Sequence, residues 1–375
     1  MSALHEQPYV SPILAGRADE LSALQGWIQR AYAGAGHVVL ISGEAGIGKS
    51  RLIGEARAFA QERRFSVLQG NCFEPDRTLP FAPFLDLLRR IDPDGRAYVR
   101  PIMPQLLKLA PELATQFPDI SPAPVVEPAL EKRQLFQTWL SLLAGPGDAP
   151  ASAPARLVIV EDLHWCDELS LEVLLQLARL IRTRPVAVLL TYRSEETPAG
   201  LTRLLAQLDR ERLASELVVA PLAPAHVEVI VRAIFRQPHT VSTEFVAALY
   251  EHTEGNPFFL EEALKSLVTA GDIVFANGYW DRKRISELRV PRTVQLAVTQ
   301  RASQLSLDAQ RVLMLAAKHH GVGTMADLTE LVQKANSMGI KVIQDQVANH
   351  VGFRHPWMKQ APLENWFTPF KQNKF

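Results

Sequence analysis

Eight consecutive residues carry the groups that a phosphate-binding site needs. The stretch GEAGIGKS, from Gly43 to Ser50, meets every position of the pattern G-x-x-x-x-G-K-S. Its glycines let the backbone turn tightly and point several N–H groups inward, and the helix that follows adds its positive end. Lys49 can then reach the β- and γ-phosphates, and the Ser50 hydroxyl can bind Mg²⁺. The alternative is a glycine-rich turn without a ligand. The predicted ligand is a nucleoside triphosphate with Mg²⁺, and the predicted binding residues are Gly43, Glu44, Ala45, Gly46, Ile47, Gly48, Lys49, Ser50 and Arg51.

Two acids follow a second apolar strand. Glu161 and Asp162 come directly after the run LVIV at 157–160. A phosphoryl-transfer site needs a carboxylate at a strand end to hold hydrated Mg²⁺, and commonly a neighbour that orients water. We predict Asp162, together with Ser50, as metal ligands and Glu161 as the group that positions water. The order of the two acids stays open because the register of the strand is unknown. An acidic helix start is the alternative.

Arg193 follows a third apolar strand, at 186–192. Its planar guanidinium suits bidentate contact with a terminal phosphate, so we predict that Arg193 senses the γ-phosphate in the catalytic site. The alternative is an ordinary surface arginine that pairs with Glu195 or Glu196.

The elements that must position these groups alternate between strand and helix patterns, which implies a parallel sheet. Residues 76–143 contain helical patterns broken by prolines, and 144–155 form a low-complexity loop. Residues 221–317 are helical apart from a hairpin-like segment at 273–280. The predicted strands cover 37–41, 65–69, 157–160, 186–192 and 217–219, and the predicted helices between them cover 19–32, 51–61, 169–182 and 201–208.

Composition places the chain among ordinary globular proteins. Of 375 residues, 47% are apolar and 21% are charged, and 40 basic residues balance 40 acidic ones. The N-terminus lacks a basic segment followed by an apolar core, and no run of eighteen apolar residues occurs. Two cysteines indicate free thiols in a reducing compartment. We therefore expect a cytoplasmic protein without a signal peptide or a membrane partner.

Five motifs in order resemble the STAND class of AAA-related ATPases, and in particular the ATP-binding half of large LuxR-type transcriptional regulators. They are AGRADE at 15–20, the phosphate loop, LVIVEDLHWCDELSLEVL at 157–174, LLTYRSEE at 189–196 and TEGNPFFLEEALKSL at 253–267. The resemblance implies that Gly16 and Arg17 lie against adenine and that Pro257 of a Gly-Asn-Pro turn touches the base and sugar. Many relatives carry Asp at the position of Glu161. The resemblance therefore implies nucleotide binding, and it leaves open whether and how fast ATP is hydrolysed.

The same resemblance implies a P-loop NTPase domain over 12–220, a helical lid over 221–289 and a truncated winged-helix segment over 290–317. In this class the ADP form is idle, and exchange for ATP reorients the winged helix so that subunits associate. Hydrolysis is slow and resets the switch. The helix-turn-helix of such regulators is missing, so we expect no specific DNA binding by this chain.

The composition of the tail indicates a different coding history. Residues 1–317 contain 28 Arg and 5 Lys, whereas 318–375 contain 1 Arg and 6 Lys. Residues 323–350, which end in GIKVIQDQVANH, are predicted to form a helix followed by a strand. They resemble part of the α-amylase family, particularly neopullulanase-like members, and the resemblance covers about residues 320–375. It implies an α-amylase-like barrel fragment over 318–375. That family needs catalytic carboxylates on later barrel strands, which this sequence does not supply, so no glycosidase activity is expected. The alternatives to the ATPase module are a carbohydrate-active protein and a non-functional chimeric fusion.

Overall fold

The computed structural model describes residues 10–90, 99–145, 154–237, 239–276 and 279–282. The chain divides into two compact units, Met1–Pro291 and Arg292–Phe375, and every described residue belongs to the first. Nearly all of the predicted winged-helix segment lies in the second unit, and so does the predicted α-amylase-like fragment. Both lie outside the described residues.

Five parallel strands form the central sheet, in the spatial order β2-β3-β4-β1-β5. Because all five run in the same direction, their carboxyl ends meet at one edge, where ligands bind in open α/β sheets. This arrangement confirms the predicted α/β fold with a parallel sheet. The strands are β1 His37–Gly43, β2 Ser66–Asn71, β3 Arg156–Glu161, β4 Val186–Arg193 and β5 Ala214–Val218.

Ten α-helices are described within these ranges. They are α1 Ala18–Tyr32, α2 Lys49–Glu62, α3 Ala82–Arg89, α4 Met103–Leu106, α5 Pro128–Ala144, α6 Glu168–Leu180, α7 Ala199–Arg210, α8 Pro224–Phe235, α9 Thr243–Thr253 and α10 Pro257–Thr269. Short 3₁₀ turns at Glu74–Asp76, Arg100–Ile102, Pro111–Thr115, Leu163–Trp165 and Ile181–Thr183 join some of them.

The strands β1, β3 and β4 are buried on both faces, as near-continuous apolar runs require in a parallel sheet. Alternate side chains of β1 serve opposite cores. Val39 and Ile41 belong to the core that also contains Leu24 of α1 and Ile53 of α2. Val38 and Leu40 belong to a second core, which includes residues of α3, α5, α6 and α7. Helices therefore cover the sheet on both sides.

The edge strand β5 begins and ends earlier than its sequence predicted. Apolar character predicted a strand over 217–219, whereas the strand covers Ala214–Val218. Its first three residues, Ala-Ser-Glu, give no hydrophobic run. They are extended because β5 pairs in register with β1, from Val38 opposite Ala214 to Ser42 opposite Val218. Pairing with a neighbouring strand, rather than side-chain pattern, fixes this element.

Helices α8, α9 and α10 share a third apolar cluster, which includes Val227, Phe245 and Leu260. Two short strands follow α10, β6 Ile273–Ala276 and β7 Tyr279–Arg282, and they pair antiparallel. The pairing confirms the predicted hairpin-like segment. Within the described ranges, no helix is long and apolar enough to cross a bilayer.

Candidate nucleotide-binding site

The phosphate loop connects the end of β1 to the start of α2. Gly46 and Gly48 have φ angles of 76° and 102°, in the left-handed region that favours glycine. Gly48 is the N-cap residue of α2, whose first residue is Lys49. The loop thus directs the chain straight into a helix N-terminus, which presents unpaired N–H groups and a positive partial charge. Such a terminus favours anions.

Lys49 is held inside the loop that it follows. Its Nζ donates to the carbonyl oxygens of Gly43 at 2.7 Å and Glu44 at 2.8 Å, and 7% of the residue surface is exposed. Burial lowers the pKa of Lys49, and the nearby carboxylates of Asp162 and Glu195 act in the opposite direction. A buried cation bound to carbonyls alone is incompletely compensated, which suits a site for an anionic ligand.

A cavity of about 450 Å³ opens beside the loop. Its lining combines polar groups, from the loop and from Asp162 and Arg193, with apolar side chains such as Ile13 and Phe258. Eleven of the predicted site residues line it, namely Arg17, Ala45, Gly46, Ile47, Gly48, Lys49, Ser50, Arg51, Asp162, Arg193 and Pro257. The other four do not, namely Gly16, Gly43, Glu44 and Glu161. A lining that is partly polar and partly apolar matches a molecule with phosphates and a base.

The two acids that end β3 face different surroundings. Glu161 is buried, and its Oε1 accepts from Gln69 Nε2 of β2 at 2.9 Å. Asp162 leaves the strand in the left-handed conformation (φ 61°), and its N–H donates to Thr191 Oγ1 at 3.0 Å. Burial raises the pKa of Asp162, against the opposing charge of Arg193. Asp162 reaches the cavity and Glu161 does not, because adjacent residues point in different directions.

Arg193 lies at the end of β4, directly opposite Gly43 in the neighbouring strand. Its guanidinium pairs with Glu196 Oε1 at 2.7 Å and lies 4.8 Å from the centre of the Trp165 ring. Arg193 therefore forms the ion pair of the alternative interpretation, and it also lines the cavity. The arginine is oriented by two contacts before any ligand enters.

His164 is fully buried beside this pair. Its Nε2 lies 3.9 Å from Glu196 Oε2, and neither ring nitrogen has a hydrogen-bond partner within the described ranges. Burial, with the charge of Arg193 adding to it, lowers the pKa of His164 to about 4. The ring is therefore neutral at neutral pH.

Arg17 ties three parts of the site together. It donates to the carbonyl oxygens of Ile47 at 3.3 Å and Ala220 at 2.6 Å, and it pairs with Glu20 at 3.1 Å. Its neighbour Gly16 lies against the ring of His226, where an added Cβ would come within 2.5 Å. The Gly-Arg segment thus holds the loop, the end of the sheet and α8 in contact.

Asn256 joins the α8–α10 group to the phosphate loop, a role that its sequence did not predict. Its Nδ2 donates to the Ala45 carbonyl at 2.9 Å, and its Oδ1 accepts from Phe258 N at 3.1 Å as the N-cap of α10. Phe258 N also approaches the Gly46 carbonyl at 3.3 Å. The sequence offered an asparagine before Pro257. This pattern indicates the start of a helix, but it does not identify a distant contact.

A short segment before α1 is fixed beside the cavity. The Ser11 N–H donates to Glu261 Oε1 of α10 at 2.8 Å, and the Ser11 carbonyl accepts from Arg51 of α2 at 2.6 Å. Burial raises the pKa of Glu261. Sequence reasoning did not single out Ser11 or Glu261, because their contact spans 250 positions. Together they place the segment between α10 and the phosphate loop helix.

The donor set fits a hard cation that a phosphate helps to bind. Ser50 offers a hydroxyl and Asp162 a carboxylate, both oxygen ligands of the kind that Mg²⁺ prefers, and both line the cavity. Within the part of the chain that the structure describes, no group of three or more His, Cys, Asp or Glu could hold a metal. A cation at this site would therefore take its remaining ligands from phosphate and water.

Part of the chain is similar to a known family. Residues 13–189 match the model of the AAA ATPase domain. The match supports a nucleotide-binding ATPase, and nucleotide binding in such domains usually involves Mg²⁺. Residues 317–374 match a second model, the catalytic domain of alpha amylase.

Two curated proteins match different shares of the chain. An uncharacterized protein of Rhizobium meliloti (strain 1021) is 23% identical over 369 residues, covering 93% of this chain. This chain spans 35% of the length of that protein. Alpha-amylase 3 of Dictyoglomus thermophilum is 51% identical over 53 residues, which are 14% of this chain and 10% of the enzyme. The amylase likeness is thus confined to a short segment of a much longer protein.

Solved structures with a similar backbone include the ORC2 protein of Aeropyrum pernix in ADPNP and ADP complexes. It has a TM-score of 0.49 and 15% identity, over 92% of this chain and 86% of that one. The Walker-type ATPase PABY2304 of Pyrococcus abyssi has a TM-score of 0.46 and 17% identity, over 90% and 87% of the two chains. The fold of this chain is established by its own strand order and register.

Proposed function

We propose that this chain is a regulatory module that binds ATP and ADP with Mg²⁺ and hydrolyses ATP slowly. The observation that carries the proposal is the cavity itself. Its lining combines a phosphate loop, a buried lysine and the acid that follows β3 with apolar side chains that include Phe258 of α10. A triphosphate would meet the loop and Lys49, and the apolar side chains suit a base.

The predicted roles follow from these positions. Ser50 and Asp162 would hold Mg²⁺, which supplies neutralising charge when bound. Arg193 would contact the terminal phosphate, and Arg17 and Pro257 would border the base side. Glu161 accepts a hydrogen bond from Gln69 and does not line the cavity. It would position water only after this hydrogen bond breaks. That requirement supports slow hydrolysis.

A switch needs a ligand whose contacts differ between two arrangements of the protein. Asn256 and Phe258 of the α8–α10 group contact the phosphate loop. A movement of the loop would therefore be transmitted directly to these helices. We propose that ATP and ADP set different positions of this group and that the ATP state self-associates. Cytoplasmic location and the absence of specific DNA binding by this chain remain part of the proposal.

The amylase match favours a second candidate, a carbohydrate-active protein. It covers only 53 residues of the bacterial enzyme. Glycoside hydrolysis needs two carboxylates placed across the scissile bond from different parts of a barrel. We propose that the segment has no glycosidase activity and that the ATPase module is the functional part. The amylase-like stretch at 339–350 includes Asn349. Saturable binding of maltodextrin that is lost in Asn349→Ala would favour the carbohydrate-active candidate.

Thermal unfolding with nucleotide tests the main proposal. A site filled at about one hundred times its dissociation constant adds about 2.7 kcal/mol to stability, which raises Tm by several degrees. We expect this shift with Mg²⁺ and either ATP or ADP in the parent protein and its loss in Lys49→Ala. Lys265→Ala is the matched control, because Lys265 is an exposed lysine of α10 paired with Glu262 at 3.5 Å.

Two outcomes contradict the proposal. One is a cooperative transition that neither nucleotide shifts. The other is an equal shift in the parent and in Lys49→Ala, which would locate the nucleotide elsewhere. Release of inorganic phosphate from ATP, measured on the same proteins, then separates slow hydrolysis from binding without turnover.

A further inference from the structure

Two carboxylates of the β4–α7 connection are bonded to groups that would otherwise contact a terminal phosphate. Glu195 Oε1 accepts a hydrogen bond from the Ala45 N–H of the phosphate loop at 3.1 Å. Glu196 Oε1 pairs with Arg193 at 2.7 Å. The loop N–H groups and the arginine are the donors expected to face the phosphates, and in this structure the Ala45 N–H and the arginine are bound to acids.

The two acids face the cationic side chains of the site. Glu196 is paired with Arg193, and the charge of Glu195 interacts with that of Lys49. Desolvation, the largest single effect, raises the pKa of Glu195, but hydrogen bonds from its own backbone, Ala45 and Ser194, together with the charge of Lys49, outweigh it and lower the pKa overall. The two carboxylates thus occupy a donor and cations that the phosphates of a ligand would otherwise meet.

We propose that Glu195 and Glu196 act as stand-ins for the terminal phosphate, so that the folded site binds a nucleoside diphosphate in preference to a triphosphate. A diphosphate leaves both contacts in place. A triphosphate must displace Glu195 from Ala45 and Glu196 from Arg193, and it must also approach two like charges. The pair thereby sets the nucleotide preference of the switch, and this inference rests on the proposed nucleotide site.

Isosteric neutralisation separates charge from shape. In Glu195→Gln the side chain keeps an oxygen that can accept from Ala45 N but loses its charge, and Glu196→Gln similarly leaves an acceptor for Arg193. We expect each variant to bind a non-hydrolysable ATP analogue about tenfold more tightly, with ADP affinity changed by less than about twofold. Glu172→Gln is the matched control, since Glu172 pairs with Lys132 at 2.9 Å on an exposed surface of the same chain.

The experiment is isothermal titration of the full chain with ADP and with the ATP analogue, in Mg²⁺, for the parent and the three variants. A fall in the analogue-to-ADP ratio of dissociation constants in both glutamine variants, but not in the control, supports the inference. An unchanged ratio, or weaker analogue binding, overturns it while ADP binding still supports the nucleotide site. Failure of the parent and every variant to bind ADP contradicts the proposed function and the inference with it. Melting curves without nucleotide show whether each variant is folded.

Discussion

Substitution of Asn256 should weaken the attachment of α10 to the phosphate loop by a calculable amount. The residue is 3% exposed and makes two hydrogen bonds, one as the N-cap acceptor for Phe258 N and one as the donor to the Ala45 carbonyl. Loss of an N-cap costs about 1 kcal/mol, and loss of a single hydrogen bond costs about 1 kcal/mol. Asn256→Ala should therefore destabilise the unit by about 2 kcal/mol.

The two contributions can be measured separately. Asn256→Asp keeps an acceptor for the cap, where a negative charge is favourable, but it cannot donate to Ala45. We expect it to lose about half of the stability that the alanine variant loses. For a domain of this size, about 1 kcal/mol lowers Tm by roughly 2–4 °C. The expected decreases are about 4–8 °C for alanine and about 2–4 °C for aspartate.

The assay is thermal unfolding followed by circular dichroism at 222 nm, without nucleotide, supported by urea titrations that check for an unchanged m-value. An alanine variant that melts within about 1 °C of the parent would refute the reasoning, since the two hydrogen bonds would then contribute nothing. An aspartate variant that melts like the parent would refute only the contribution of the bond to Ala45.

Four further substitutions have defined outcomes. Gly46→Ala should destabilise by at least about 1 kcal/mol, because φ is 76° and a Cβ would lie 2.7 Å from Phe258 Cβ. Gly54→Ala, in the middle of α2 with nothing within 4 Å of its Cβ, should stabilise by up to about 1 kcal/mol, and equal melting of the two variants contradicts the argument. Burial lowers the pKa of His37 from 6.5, so the unfolded state binds more protons and the free energy of unfolding should fall as pH drops through 6.5. Urea titrations at pH 7.5 and 5.5 should show a smaller difference in His37→Phe, and an unchanged difference would argue against it. Asp162→Asn should reduce the extra thermal shift that Mg²⁺ gives with ATP, and an unaltered Mg²⁺ dependence would exclude Asp162 as a ligand.

Some features of this protein follow from local sequence alone. The apolar runs of β1, β3 and β4 are long enough to be buried on both faces, so a parallel sheet could be predicted from them. The phosphate loop could also be predicted, since its glycines, lysine and serine act within eight adjacent residues. Elements defined by their neighbours were harder to predict. The strand β5 begins with polar residues and is extended because β1 lies beside it.

The contacts that complete the candidate site were decided only by the tertiary structure. Asn256 reaches Ala45 across 211 positions, Arg17 reaches Ala220 across 203, and Glu195 reaches Ala45 across 150. The sequence gives no sign of hydrogen-bond partners at such distances. In each of these pairs one partner is a backbone group, and every residue has backbone groups. The sequence thus determined which residues could bind phosphate, because that chemistry is local. The folded chain determined which side chains surround them, because parallel strands and the α8–α10 group bring separate segments to one edge.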